Sequence, residues 1–183
     1  MKFDTITVWK VLHYFFDHPY DEVYLRELAK KAGISVFSAK KAIDELIKEK
    51  ILIEIKRGRM RYVKANTNNL FFRHLKIAFS IKKIEESGLI EYLIKNVPAI
   101  HSIILFGSMA RGEDDENSDV DLLVIGQRKK IDLIKFEKRI GREIKAIIMR
   151  WGEWRIKAKE DRAFYIEIIT NGIVLYGNMP VIE

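Results

Sequence analysis

Residues 106 to 124 read FGSMARGEDDENSDVDLLV, and the reading of this stretch decides the fold of the half of the chain that contains it. Upstream, Ile103, Ile104, Leu105 and Phe106 form an unbroken apolar run ending at Gly107. Such a run predicts a buried strand that breaks into a helix where a small residue is needed. Gly107 and Ser108 would then present backbone N–H groups at a helix start, a place where phosphate binds readily. Downstream, Asp119 and Asp121 alternate with Val120, Leu122 and Val124. Strand geometry sends the apolar side chains to one face and both carboxylates to the other. Adjacent carboxylates repel unless a cation neutralises them, so the stretch joins a phosphate-binding turn to a cation-binding pair.

With Arg111, Gly112 and Ser118 between them, these residues resemble the small minimal nucleotidyltransferases of the DNA polymerase beta superfamily. The GSx10DxD signature of that family is met by Gly107, Ser108, Asp119 and Asp121. The resemblance implies phosphoryl transfer assisted by Mg2+ or Mn2+, with ATP or another nucleoside triphosphate as substrate. By the same resemblance Gly107 and Ser108 hold the terminal phosphates and Asp119 and Asp121 hold the metal. A hydroxyl attacks the α-phosphate and pyrophosphate leaves. Arg111 is a phosphate contact or the partner of an acid in the loop Glu113 to Glu116, a loop expected to be solvated and given no metal.

Family members with activity usually add a third carboxylate from the strand after the next helix. Here Ile131, Leu133, Ile134, Phe136 and Ile140 have helical spacing, Gly141 ends the helix, and residues 142–150 (REIKAIIMR) read as that strand. The acid is expected near Lys145, where a lysine stands instead. Three outcomes stay open. Glu143, two residues away and on the same strand face, serves as the third catalytic acid; or two carboxylates work alone; or the site binds without turnover. The Lys145 ammonium is expected against Asp119 or Asp121, replacing part of a cation's charge.

The remainder of the 183 residues, 48% hydrophobic, suffices for one good core or two small ones. Two fit the charge better. Residues 1–97 hold 19 Lys and Arg against 12 Asp and Glu, whereas residues 98–183 hold 14 of each, so the whole excess of +7 lies in the first half. That asymmetry suits a polyanion partner or a lysine-rich solvated surface. The absence of cysteine excludes disulfides and thiolate metal sites and is compatible with a cytoplasmic location. No apolar run reaches the roughly 18 residues of a membrane span. The first 17 residues are amphipathic without a cleavage pattern, so no signal peptide is expected. One glutamine amid abundant Lys, Glu and Ile suggests a thermophilic source.

In the first half, Ile6, Trp9, Val11, Leu12, Phe15 and Phe16 predict a helix over 5–16 closed by His18-Pro19. A short extended piece at 22–24, a helix over 25–31, a turn at Ala32-Gly33-Ile34-Ser35 and a second helix to Lys50 follow, with Ser35 as N-cap. Runs 51–56 and 59–64 then form a basic hairpin around Arg57-Gly58. This order resembles a winged helix-turn-helix across residues 1–66, most specifically in RELAKKAGIS. The resemblance implies DNA binding, with Ser35, Ser38, Lys40 and Lys41 at the start of the recognition helix and Arg57, Arg59 and Arg61 as phosphate contacts of the wing. Phe37 is placed as a cap on the core or a stacking contact, the core having the better claim.

The expected architecture is therefore α+β: a winged helix-turn-helix over 1–66, a helical connector over 67–97 broken near Ser87-Gly88, and a mixed-sheet nucleotidyltransferase domain over 98–183. The connector's apolar face packs on neighbours or forms a homodimer interface. Trp151, Trp154 and a helix over 160–170 are expected to cover the sheet, and 173–176 to return as a strand. Two functions fit. The first is transfer of a nucleoside monophosphate, AMP foremost, to a macromolecular hydroxyl, with a HEPN-like toxin among the partners the resemblance allows. The second is a winged-helix transcription regulator whose transferase-like domain is degenerate and senses nucleotide or dimerises.

Overall fold

The computed structural model describes residues 6–58 and 60–182. The chain divides into two compact units, one up to Lys76 and the other from Ile77.

In the first unit, α1 (Ile6–Asp17) buries Val8, Val11, Leu12, Phe15 and Phe16 along one stripe. After β1 (Val23–Tyr24) and α2 (Leu25–Lys31), Gly33 takes φ +62° and the chain turns into α3 (Val36–Lys48). Ser35 caps α3: its Oγ accepts the Ser38 N–H at 3.1 Å. Ala39, Ala42, Ile43 and Leu46 face the core at helical spacing. Strands β2 (Leu52–Arg57) and β3 (Met60–Ala65) pair antiparallel from Leu52–Ala65 to Arg57–Met60, with β1 on the far side of β3. The turn uses Gly58 at φ +61°, and Arg59 lies outside the described residues. Phe37 does not reach the core. Its side chain is 81% exposed, because helical spacing puts Phe37 on the face of α3 opposite Ala39, Ala42, Ile43 and Leu46.

Helix α4 (Leu70–Ser87) runs across the division between the units. Gly88, at φ +78°, stops it and starts α5 (Leu89–Asn96). Next come β4 (Ser102–Phe106), α6 (Gly107–Arg111), β5 (Val120–Ile125), α7 (Ile134–Ile140) and β6 (Ile144–Met149), followed by α8 (Trp151–Glu160), α9 (Arg162–Asn171) and β7 (Ile173–Gly177). The sheet order is β6-β5-β4-β7, parallel between β5 and β6 and antiparallel elsewhere. The unit is mixed α+β. Ile103, Leu105, Val120, Leu122 and Val124 pack on one side with Leu89, Leu93, Phe136 and Ile140. Ile104, Leu123 and Ile125 pack on the other with Trp154, Ala158, Tyr165 and Ile168. Apolar residues on both faces explain why β4 and β5 read as continuous hydrophobic runs.

Three expectations need correction. The helix drawn over 131–140 begins at Ile134, where Asp132 Oδ1 accepts the Ile134 N–H at 3.1 Å, and Ile131 and Leu133 reach the core without helix. Of Trp151 and Trp154, expected to cover the sheet, only Trp154 is buried while Trp151 is 40% exposed, and the segment that carries them is a helix. It is separated from α9 by Asp161, whose carboxylate takes the Phe164 N–H at 3.1 Å. Nor is the acidic loop wholly solvated, since Asp114 is fully buried and pairs at 2.9 Å with Arg142, which is itself almost buried. Among the described residues no helix is long and apolar enough to cross a membrane.

Candidate functional site

The carboxylates of Asp119 and Asp121 emerge where β5 begins. Antiparallel register sets Asp121 opposite Phe106 on β4, immediately before Gly107, and parallel register sets it opposite Lys145 on β6. Gly107 stands at φ +74°, and a Cβ there would lie 2.5 Å from Asp121 Oδ2. Glycine is thus required twice, for the left-handed backbone and for the close approach of the carboxylate. The first N–H groups of α6 point away from the helix's own carbonyls and no side chain caps them. The start of α6 and the acidic pair therefore meet in one place.

The pair is electrostatically uneven. Burial raises the Asp121 carboxyl above the ordinary carboxylate range, the charge of Asp119 raises it further, and Lys145 and Arg111 pull it back. Asp119 has a direct partner: Lys145 Nζ lies 2.5 Å from its Oδ2, and that hydrogen bond raises the lysine. The pair is open to solvent on the lysine side and adds little stability. Its importance is positional, because a cation occupies the strand site where a third acid was expected. Glu143 is exposed, and its carbonyl accepts the Val120 N–H at 2.8 Å. Among the described residues no three carboxylates or histidines gather into a group able to hold a metal ion.

Arg111 closes the other side. Its Nε donates to Glu113 Oε2 at 2.8 Å, and its Nη1 donates to Glu167 on α9. Glu167 in turn accepts from Asn171 Nδ2 at 2.7 Å. The sequence offered an acid of the loop Glu113 to Glu116 as a partner of Arg111 but not Glu167, 56 residues away, because nothing local marks an acid on α9 as the partner of a loop arginine. The Asp114–Arg142 pair escaped for the same reason. Asp114 sits among four acids of which the sequence distinguishes none.

In the first unit Lys40 and Lys41 are exposed on the outer face of α3, and Ser35 Oγ is used in the cap and donates to Ser38 Oγ at 2.9 Å. Arg57 pairs with Glu22 and lies 5.4 Å over the Tyr62 ring. Arg61 lies between Asp44, at 2.5 Å, and Glu54, at 3.0 Å. The expectation for Arg59 falls outside the described residues.

The comparisons with known proteins bear on the second unit. The family model "Polymerase beta, Nucleotidyltransferase" matches residues 88–180. "Putative protein adenylyltransferase MJ0604" of Methanocaldococcus jannaschii is 38% identical over 81 residues, covering 42% of this chain and 79% of the relative. A crystal structure of a toxin–antitoxin with AMP-PNP aligns at 21% identity and a TM-score of 0.38, covering 51% of this chain and 73% of that one. A mutant of the toxin–antitoxin MntA-HpeT aligns at 21% identity and a TM-score of 0.36, covering 51% and 72%. Superpositions this loose place no residue.

Proposed function

The chain belongs to the polymerase beta nucleotidyltransferase family, and from that premise we propose that it transfers a nucleoside monophosphate, AMP foremost, from its triphosphate to a hydroxyl on a protein. The observation that carries this reading is the close approach of the Asp121 carboxylate to Gly107, where only a glycine fits, at the side-chain-uncapped start of α6. The name of the archaeal relative supports a protein as acceptor. Asp119 and Asp121 suit Mg2+ or Mn2+ of the kind held by one or two carboxylates and completed by substrate phosphates, rather than by a cage of protein ligands. When bound, such an ion neutralises the triphosphate and lowers the pKa of the attacking hydroxyl.

The chain's own groups do the rest. The Gly107 and Ser108 N–H groups hold the terminal phosphates, and Arg111, kept in place by Glu167, faces them from the end of α6. The acceptor oxygen bonds to the α-phosphorus as the bond to the β-phosphate oxygen breaks. The hydroxyl proton passes to solvent or to a carboxylate, and pyrophosphate leaves. Glu143, exposed two residues before Lys145, is the proposed third acid.

The first unit we read as a winged helix-turn-helix, supported by its element order, the Gly33 turn, the Ser35 cap and the three-stranded sheet. DNA is its proposed partner, met by Ser38, Lys40 and Lys41 on α3 and by Arg57 and Arg59 of the wing. Arg61, held by two acids of its own unit, is the weakest of these contacts. A HEPN-like toxin is the proposed acceptor, in keeping with the family resemblance. The Lys145–Asp119 pair favours a second reading, a regulator whose transferase-like site binds nucleotide without turnover.

Incubation with α-labelled ATP, Mn2+ and extract of the source cell separates the two readings. Transfer to a protein, lost in Asp119→Ala and Asp121→Ala, supports the enzyme. Nucleotide binding without transfer to any acceptor leaves the regulator.

A further inference from the structure

Of the four oxygens on Asp119 and Asp121, one is already engaged by a cation: Asp119 Oδ2 is bonded to Lys145 Nζ at 2.5 Å. In two-metal sites the ions sit about 3.5–4 Å apart and share the surrounding carboxylates. A second ion here would have to take Asp119 Oδ2 from Lys145 and then lie a few ångströms from its ammonium. An ammonium donates three hydrogen bonds and accepts none, so it cannot become a ligand.

The geometry points to a site that takes one divalent cation, with the Lys145 ammonium standing where a second would bind; this rests on the nucleotidyltransferase reading above. Position 145 is then the determinant of metal stoichiometry, through its register opposite Asp121 on the parallel β5–β6 pair. Lys145 plays two parts. It neutralises Asp119 when no metal is bound, and it offers a hydrogen-bond donor to a phosphate oxygen when nucleotide is bound.

The test counts ions rather than turnover. Mn2+ bound per chain is measured by electron paramagnetic resonance, without nucleotide and with one equivalent of a non-hydrolysable ATP analogue, in the wild type, Lys145→Glu, Lys145→Gln and Asp121→Asn. The expected result with the analogue is one ion in the wild type and two in Lys145→Glu. Lys145→Gln keeps one ion and binds it about tenfold more tightly, because a unit charge no longer repels it. Lys145 is exposed, so these variants disturb no core, and the count in the wild type and the affinity of Lys145→Gln decide even if Lys145→Glu does not fold. Two ions in the wild type, or an affinity unchanged in Lys145→Gln, would overturn the inference and leave the nucleotidyltransferase reading intact. No ion in the wild type, or a count that Asp121→Asn does not change, would remove both.

Discussion

Gly107→Ala perturbs the candidate site by one methyl group, and its effect can be worked from two distances. The added Cβ would stand 2.5 Å from Asp121 Oδ2 and 3.3 Å from its Cγ. Real contacts begin near 3.0 Å and become ordinary at 3.4 Å, so the carboxylate must retreat by about 0.5–0.9 Å. Displacing a reacting group by about 1 Å can cost on the order of 100-fold in rate. The backbone adds its own cost, since Ala at φ +74° is disfavoured by about 1–2 kcal/mol. Gly141→Ala is the control: φ there is +79° and the added Cβ meets nothing within 4 Å. Urea denaturation should show losses of about 1–2 kcal/mol in both variants. AMP transfer should fall about 100-fold in Gly107→Ala and stay near the wild-type rate in Gly141→Ala. Equal rates in the two variants would refute the claim that Gly107 is glycine for the sake of Asp121.

Arg142→Ala leaves Asp114 buried without its guanidinium and should cost about 3–5 kcal/mol in denaturant unfolding. Asp121→Asn should abolish transfer while making the metal-free protein no less stable, because burial and Asp119 both oppose ionisation of Asp121; calorimetry without metal checks the sign. Glu167→Gln should loosen Arg111 and raise KM for the triphosphate several-fold with the fold unchanged, measurable by nucleotide titration and circular dichroism. If the first unit binds DNA, Lys40→Ala with Lys41→Ala should reduce the slope of log affinity against log salt by about 1.8, whereas Arg61→Ala should change it little.

The residues that carry the site were legible because their chemistry is local. Gly107-Ser108 and Asp119-Val120-Asp121 each form a pattern within a few residues, and the apolar runs of β4 and β5 fix the strands that bring them together. The helix stops at Gly88 and Gly141 were legible for the same reason, since only glycine takes those angles cheaply. Helix α8 was not: WGEWRIKAKE is charged, contains Gly152, and buries only Trp154 and Ala158 four residues apart. The partners of Arg111 and Asp114 were legible in part or not at all, because Glu167 and Arg142 reach them through folding and not through spacing. Lys145 was located by counting along a strand. That its ammonium chooses Asp119 over Asp121, the residue opposite it in register, is a matter of side-chain geometry beyond a sequence pattern.

Whether this site moves a nucleoside monophosphate is decided by paired labels. The protein and its acceptor are incubated with Mn2+ and ATP labelled at the α-phosphate in one reaction and at the γ-phosphate in the other. The acceptor should keep the α label, the γ label should leave as pyrophosphate, and Asp119→Ala and Asp121→Ala should abolish both. Retention of the γ label on the acceptor, or α-label transfer that persists in the two variants, would contradict nucleoside monophosphate transfer at this site.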